Sequence, residues 1–369
     1  MAPPILRDIL TLIALGLVIG TLWEGFETII LPRSVSRGFR LTRFFFISFW
    51  TFWRTLAAFA RNEDDRESFY AYFGPLSLIF LLFVWASLLI IGFALIQYFH
   101  GVGMMTDAHS LFDLFYYSGV TFFTLGYGDI VPVTKFGKCW AVAEAGTGFG
   151  FLAIVIGYLP VLYQSFSRRE VAISLLDARA GSPPTATELL VRFGREGNLS
   201  QLDILLREWE LWTSDVLESH LSYPVLAFYR SQHSRQSWIA ALTAMLDVSA
   251  AIQVGIKNAP MWQAKLTFAM ARHAVVDLSM IFHAPPIYNI EDRLPQAKMQ
   301  QMREQLEEAG VPFCDDPGAE QELYELRRSY EPYVAALSSR FIMPLPPWVM
   351  TDPEPDDWQA SGWENGVLK

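Results

Sequence analysis

The sequence is poor in the residues that build metal sites, disulfides and basic surfaces. Its 369 residues include only two cysteines and six histidines, and no H-E-x-x-H, C-x-x-C or G-x-S-x-G pattern occurs. Charged residues make up only 18% of the chain, and the net charge is −10. These absences count against a metalloenzyme, a thiol redox protein or a serine hydrolase, and the acidic balance counts against nucleic-acid binding.

Strand patterns are also missing. No run of alternating apolar and polar residues appears, so a sheet domain is not expected. The one glycine-rich run, G-T-G-F-G at 146–150, lies inside a long apolar segment and does not follow a strand, which excludes the usual dinucleotide-binding context. The predicted fold class is therefore all-α, without an organic cofactor.

Apolar residues dominate the first half of the chain. Hydrophobic residues make up 52% and aromatic residues 15%, and the mean hydropathy is positive. Residues 75–98 carry no charge, and as a helix they would rise about 36 Å, enough to cross a hydrocarbon core of about 30 Å. A second long segment, 136–163, contains only Lys138 and Glu144 as charges. Residues 9–23 could be a signal peptide, a buried helix or a short span, and the lack of a cleavage pattern favours a span.

A short motif lies between the two long apolar segments. Residues 121–132 read TFFTLGYGDIVP, and the part at 124–129, TLGYGD, resembles the selectivity filter of the potassium channel family. A dehydrated potassium ion needs a ring of closely held oxygens, which backbone carbonyls can supply. Gly126 and Gly128 can take the positive φ that such a strand requires, because they have no Cβ.

The resemblance implies a role for each filter residue. The ion-facing oxygens would be the carbonyls of the filter strand, with the Thr124 hydroxyl at the inner end, and K⁺ would be the only bound ion. The Tyr127 ring would point away from the ions and hold the filter at its width. The family more often has Val or Ile where this chain has Leu125, which leaves the carbonyl in place. The carbonyls assigned to K⁺ are those of Thr124, Leu125, Gly126 and Tyr127.

Other residues are expected to support the filter. Some family members have a pore-helix carboxylate as the partner of the filter aspartate, but the matching residue here is Val120, so Asp129 needs another partner. The candidates are Tyr116 and Tyr117. The remaining support residues are Thr121 and Gly128.

The flanking segments resemble a two-helix potassium channel pore over residues 74–163. It comprises an outer helix at 75–98, a pore helix at 111–123 with Ser110 as its N-cap, the filter, and an inner helix at 136–163. Four filter strands surround one axis in this family, and the chain has one motif, so the resemblance implies a homotetramer.

The topology follows from the filter and the basic residues. The family places the filter near the outer face, which puts both ends of the pore unit in the cytoplasm. Arg33, Arg37, Arg40 and Arg43 are expected inside as well, so the span within residues 1–32 would start outside the cell membrane. The spacing of the last three arginines is similar to a voltage sensor. However, they follow a proline among Ser and Gly, which favours an anchor to anionic membrane lipid and no steep voltage dependence.

Residues 44–59 are rich in aromatic side chains. They could form a fourth crossing, but that would leave the four arginines outside. We expect a helix lying in the inner interface, within a cytoplasmic segment at 33–73.

The inner helix contains several gating candidates. Gly148 matches the position of the family's hinge glycine, and Pro160 could kink the helix. Gly146 and Gly150 form a G-x-x-x-G pair that is more typical of close helix packing, so hinge and packing both remain open. A cytoplasmic constriction would be lined by side chains four residues apart, namely Val155, Leu159 and Tyr163.

Glu144 is the unusual polar residue of this segment. A carboxylate within a span is costly unless it faces water or finds a partner. It could concentrate cations in the cavity, act as a protonated or hydrogen-bonded group behind the filter, or simply hydrogen-bond to the pore helix or another nearby hydroxyl.

Residues 164–369 form a predicted helical cytoplasmic domain of unknown ligand. It carries 18 Lys and Arg against 27 Asp and Glu, and its histidines are expected to be core or capping residues. The acidic C-terminal tail is expected to be flexible. The domain would assemble or gate a channel; the alternative function is a membrane-anchored sensor with a non-conducting pore. Apolar spacing predicts helices at 187–194, 200–218, 237–255, 262–282, 295–309 and 319–340.

Overall fold

A computed structural model describes residues 3–31, 41–100, 103–105, 110–233, 235–314, 316–351 and 355–359. Within these ranges the chain is helical and forms no sheet, only two isolated bridges. The predicted all-α class is confirmed. The chain divides into two compact units, Met1–Gln164 and Ser165–Lys369.

The first unit is built from long apolar helices. Three stretches are long and apolar enough to cross a membrane, Ile5–Ile30, Asp65–His100 and Lys135–Ala180. The outer and pore helices begin and end within two residues of their predicted limits. The helices are α1 (Pro4–Gly25, extended by a π-helical turn Phe26–Ile30), α2 (Leu41–Ala57), α3 (Glu63–Ala71), α4 (Phe73–His100), α5 (Leu111–Phe122) and α6 (Lys135–Ala180).

The first span is longer than the predicted 9–23. Two glutamates, Glu24 and Glu27, are buried in the part beyond residue 23. Glu24 accepts a hydrogen bond from the Thr42 backbone N–H at 2.9 Å, and Glu27 accepts one from the Trp23 indole at 2.7 Å. Because both carboxylates have partners, the helix continues past them.

The aromatic segment predicted at 44–59 is α2. At 17 residues it is shorter than the helices suited to spanning. Trp50 stacks edge-on against Phe73 at 4.7 Å, and Trp53 stacks on Phe69 at 4.5 Å, so α2 packs against α3 and the start of α4. Of the basic residues that precede it, Arg33, Arg37 and Arg40 lie outside the described residues.

The inner helix does not end at 163 as predicted. It continues as α6 to Ala180 and stops at Gly181, whose φ of +84° terminates it. Ile173 and Leu176 are buried, so apolar contacts within the second unit stabilise the extension.

The second unit is a helical bundle around one apolar helix. That central helix, α9 (Trp238–Gly255), is apolar enough to cross a membrane, but 89% of its residues are buried by other parts of the protein. The predicted helix at 319–340 is two helices, because Pro332 starts a new one after Tyr330. The helices are α7 (Ala186–Arg195), α8 (Leu202–Ser222), α9 (Trp238–Gly255), α10 (Met261–Ile281), α11 (Gln296–Glu308), α12 (Pro317–Arg328) and α13 (Glu331–Phe341).

Arg169 fixes the extension of α6 inside the second unit. Its side chain is 2% exposed and forms an ion pair with Glu170 at 2.9 Å. It donates to the carbonyls of Leu226 at 2.9 Å and Tyr229 at 2.7 Å. Its Nη1 also lies 3.3 Å from His220 Nε2, which must accept because the guanidinium has no lone pair. His220 Nδ1 therefore carries the hydrogen and donates to the Val216 carbonyl at 2.7 Å.

We predict that His220 makes the protein acid-sensitive. Burial and the Arg169 guanidinium lower the pKa of His220 to about 3. Below about pH 6.5 the unfolded chain gains a proton that folded His220 does not accept, so stability should fall by up to about 2 kcal/mol between pH 6.5 and 4.5.

The measurement is urea unfolding of the detergent-solubilised chain across this pH range. His220→Gln keeps a donor and an acceptor, and its free energy of unfolding should fall less between pH 6.5 and 4.5. A variant with an unchanged pH dependence would contradict the assignment.

The histidines of the second unit were expected to be core or capping residues. His220 is a core residue, and exposed His273 lies 3.5 Å from Asp277 on α10. Cys139 and Cys314 are free thiols. No cluster of three potential metal ligands occurs among the residues that the structure describes.

Candidate functional site

The filter segment follows α5, and hydrogen bonds define both ends of this helix. Ser110 and Asp113 form a capping box: the Ser110 hydroxyl accepts from the Asp113 N–H at 3.1 Å, and the Asp113 carboxylate accepts from the Ser110 N–H at 3.2 Å. At the other end, the Leu125 N–H donates to the Val120 carbonyl at 2.9 Å. The filter segment therefore leaves directly from the last turn of this helix.

The backbone of the filter segment alternates in handedness. φ is +57° at Thr124, +60° at Gly126 and +77° at Gly128, whereas Leu125 and Tyr127 have negative φ. A positive φ is strained for threonine, and such strain is concentrated at functional sites. This alternation is the backbone pattern that a strand of ion-facing carbonyls requires.

Tyr116 is the partner of the filter aspartate. Its hydroxyl donates to Asp129 Oδ2 at 2.9 Å. The other candidate, Tyr117, is buried in a cluster with Ala94, Met104 and Leu114. The structure therefore separates the two tyrosines: one contacts the filter end and the other packs in the core.

The chain after the filter is hydrogen-bonded to the segment that follows α4. The Met105 N–H donates to the Val131 carbonyl at 3.0 Å, and the Val133 N–H donates to the Gly103 carbonyl at 2.9 Å. The Thr134 hydroxyl then accepts from the Gly137 N–H at 3.1 Å and starts α6. Both ends of the filter segment are thus held by hydrogen bonds within the first unit.

Gly148 is the glycine at which α6 meets the pore helix. A Cβ at this position would lie 1.9 Å from the Phe122 carbonyl oxygen, at the end of α5. By contrast, a Cβ at Gly146 or Gly150 would meet nothing within 4 Å in the chain. The contact at Gly148 indicates close packing, whereas the G-x-x-x-G pair makes no such contact within one chain. Hinge bending at Gly148 remains a prediction.

The other gating candidates lie further along α6. Pro160 lies inside the helix, which continues past it. Leu159 and Tyr163 are 40% and 67% exposed, and Val155 is half-buried. Their role as a constriction remains a prediction.

Glu144 is buried behind the pore helix, where it joins three helices. It is 0% exposed. It accepts a hydrogen bond from Gln97 of α4 at 3.0 Å and is also hydrogen-bonded to Ser118 of α5. This matches the alternative of a hydrogen-bonded group and places the carboxyl away from water.

A count of hydrogens refines this arrangement. The Ser118 hydroxyl has one hydrogen but lies within reach of two acceptors, the Ile90 carbonyl at 2.8 Å and the Glu144 carboxyl. A side chain with a hydrogen-bond donor at position 144 could pair with the Ser118 oxygen while the Ser118 hydroxyl donates to Ile90.

We predict that Glu144→Gln is tolerated and that Glu144→Leu is not. Glutamine keeps a donor for Ser118 and an acceptor for Gln97. Leucine leaves the buried Gln97 amide without this acceptor, which costs about 1–3 kcal/mol, and it leaves Ser118 with only the Ile90 carbonyl. Fluorescence-detected size exclusion after stepwise heating measures the difference. A leucine variant as stable as the glutamine variant would contradict a hydrogen-bonding role.

Ser118 and Gln97 were not predicted as functional residues. Each is a polar residue within a largely apolar helix, which is the signal that could have identified them. Their spacing in the chain from Glu144 gives no indication that the three meet.

Comparison with known proteins identifies the region around the filter. Residues 79–164 match the ion channel family model. The potassium-channel resemblance is confirmed for this part of the chain. The pore region is similar to two-pore potassium channel 5 of Arabidopsis thaliana, at 37% identity over 21% of this chain and 18% of that protein. It is also similar to the voltage-gated potassium channel of Aeropyrum pernix, at 40% identity over 15% of this chain and 19% of that protein.

A longer similarity extends beyond the pore region. The uncharacterized membrane protein YdjJ of Bacillus subtilis is 25% identical over 68% of this chain and 72% of its own length. No solved structure matches the chain. Residues 79–164 are therefore similar to an ion-channel pore, and the apolar helices long enough to cross a membrane support membrane localisation.

Proposed function

We propose that the protein is a potassium-selective channel that conducts K⁺ passively. The observation that carries this proposal is the alternation of φ along TLGYGD, with both filter glycines in the left-handed region. The hydrogen bond from Tyr116 to Asp129 also supports it, because this bond holds the end of the filter segment against the pore helix. A filter must keep a fixed width to discriminate between ions. The ions would bind to the carbonyls of Thr124, Leu125 and the two residues that follow.

The channel would be a homotetramer. One chain contributes one filter strand, and a closed ring of carbonyls requires several. Leu125 and Tyr127 are 54% and 66% exposed in a single chain, which is consistent with contacts supplied by neighbouring copies.

The proposed orientation places the N-terminus outside and the second unit in the cytoplasm of the cell. Three spans and an extracellular filter lead to this arrangement, and Arg43 at the start of α2 agrees with the positive-inside rule. The second unit would influence the pore through α6, because this one helix carries both the Gly148 contact and the buried Arg169.

Potassium flux into liposomes tests the proposal. Purified protein should give barium-sensitive flux, and Tyr127→Ala should lower selectivity for K⁺ over Na⁺ because the filter loses the ring that holds its width. Absence of flux from correctly inserted protein would favour the non-conducting sensor instead, whereas unchanged selectivity in the variant would contradict the role of the Tyr127 ring in holding the filter at its width.

A further inference from the structure

Part of the acidic tail is packed on the second unit, which differs from the predicted flexible tail. In the described segment 355–359, Asp356 is 6% exposed and the Asp357 side chain is 13% exposed. Pro355, Trp358 and Gln359 are exposed, Trp358 at 62%. The surface beneath this segment is therefore shaped mainly for two adjacent aspartates.

Two arginines supply the positive charge of this surface. Arg192 Nη1 lies 2.8 Å from Asp356 Oδ2, and Arg192 Nη2 lies 3.1 Å from Asp356 Oδ1, a two-point contact typical of carboxylate recognition. Arg235 donates to Asp357 Oδ1 at 2.7 Å and to the Pro355 carbonyl at 3.1 Å. Each aspartate thus has its own arginine.

Polar groups recognise the backbone of the segment as well. The Asp357 N–H donates to the Ser182 hydroxyl at 3.1 Å, and the Trp358 N–H donates to Asp177 Oδ2 at 3.0 Å. Gln236 donates to both Asp177 and Asp357 at 3.2 Å. Recognition of side chains and backbone together is a feature of a peptide site rather than of a general electrostatic contact.

The surface lies at the C-terminal end of α6. Asp177 belongs to that helix, and Arg192 also donates to the Ala178 carbonyl at 2.8 Å. The arginine that holds the tail therefore also satisfies a carbonyl in the last turn of the helix, where a positive charge is favourable.

We infer that this surface is a binding site for acidic peptides with two adjacent aspartates, and that the chain's own tail occupies it reversibly. The tail is held by ion pairs and hydrogen bonds, with little apolar burial. The side chains of Arg192 and Arg235 are 28% and 30% exposed, and ion pairs that solvent can reach are individually weak. A short tether gives an effective concentration in the millimolar range, so an untethered peptide can compete. This site is independent of ion conduction.

The test uses a chain that ends at Thr351 and a fluorescein-labelled peptide of residues 352–360, DPEPDDWQA. In detergent, the shortened chain should bind the peptide with a Kd of roughly 10–100 μM, and replacing both aspartates, Asp356→Asn with Asp357→Asn, should weaken binding at least tenfold. The full-length chain should bind at least tenfold more weakly, because its site is occupied. Equal binding to the two chains, or no binding to the shortened one, overturns the proposal.

A charge exchange separates specific recognition from general attraction. In the shortened chain, Arg235→Glu should lower the affinity at least tenfold, whereas Arg207→Glu makes the same charge change on an exposed part of α8 and should not. A peptide with Asp357→Lys should restore binding to the Arg235→Glu variant, which also establishes that the variant is folded. Equal losses from both arginine changes, or no recovery with the exchanged peptide, overturn the assignment.

Discussion

Replacing Gly126 with alanine is expected to abolish potassium-selective flux. Gly126 has a φ of +60°, and an L-residue pays about 1–2 kcal/mol in this region, so four copies would strain the ring by about 4–8 kcal/mol. Because the Gly126 carbonyl is one of the proposed ion ligands, the strain falls on the conducting atoms. Liposome flux should drop at least roughly a hundredfold, with assembly retained.

Gly119→Ala is the matched control for this substitution. Gly119 lies in the pore helix at an ordinary φ, and a Cβ there meets nothing within 4 Å in the chain. It should conduct like the unaltered protein. Equal flux from both alanine variants would mean that the left-handed backbone at the filter is not required.

Replacing Gly148 with alanine is expected to prevent formation of a stable pore. The added methyl would lie 1.9 Å from the Phe122 carbonyl oxygen, far inside contact distance. A backbone atom cannot rotate away as a side chain can, so α6 and the pore helix must separate. Overpacking of this kind costs about 1–3 kcal/mol per chain, and in the proposed tetramer four chains would share one ring.

The readout is the yield and thermal stability of the assembled protein by fluorescence-detected size exclusion. Gly146→Ala, two residues earlier on the same helix, adds the same methyl to open space and should behave like the unaltered protein. A hinge role for Gly148 predicts another result, in which the alanine variant assembles normally and only its gating changes. That outcome would contradict the packing assignment.

The pore elements could be predicted because local chemistry determines them. Ser110 was identifiable as an N-cap from residue type and position, and the positive φ at Gly126 and Gly128 follows from the absence of a side chain. The partner of Asp129 could be narrowed only to Tyr116 or Tyr117. Which tyrosine faces the filter depends on how α5 packs against α4.

Contacts between distant parts of the chain could not be predicted in this way. The sequence predicted that the inner helix ends at 163, where the apolar segment gives way to charged residues. Charged residues do not end a helix when their side chains have buried hydrogen-bond partners, as Arg169 has. Likewise, the tail aspartates were predicted to be flexible, because their partners Arg192 and Arg235 lie more than 100 positions earlier in the chain.

The most direct test of potassium conduction is the reversal potential of the reconstituted protein in a planar bilayer with K⁺ on one side and Na⁺ on the other. A filter built from TLGYGD should give a current that reverses far from zero, at the potential set by preferential K⁺ permeability, and barium should block it. A barium-sensitive current that reverses near zero would contradict selectivity, and absence of current from assembled protein would contradict conduction itself.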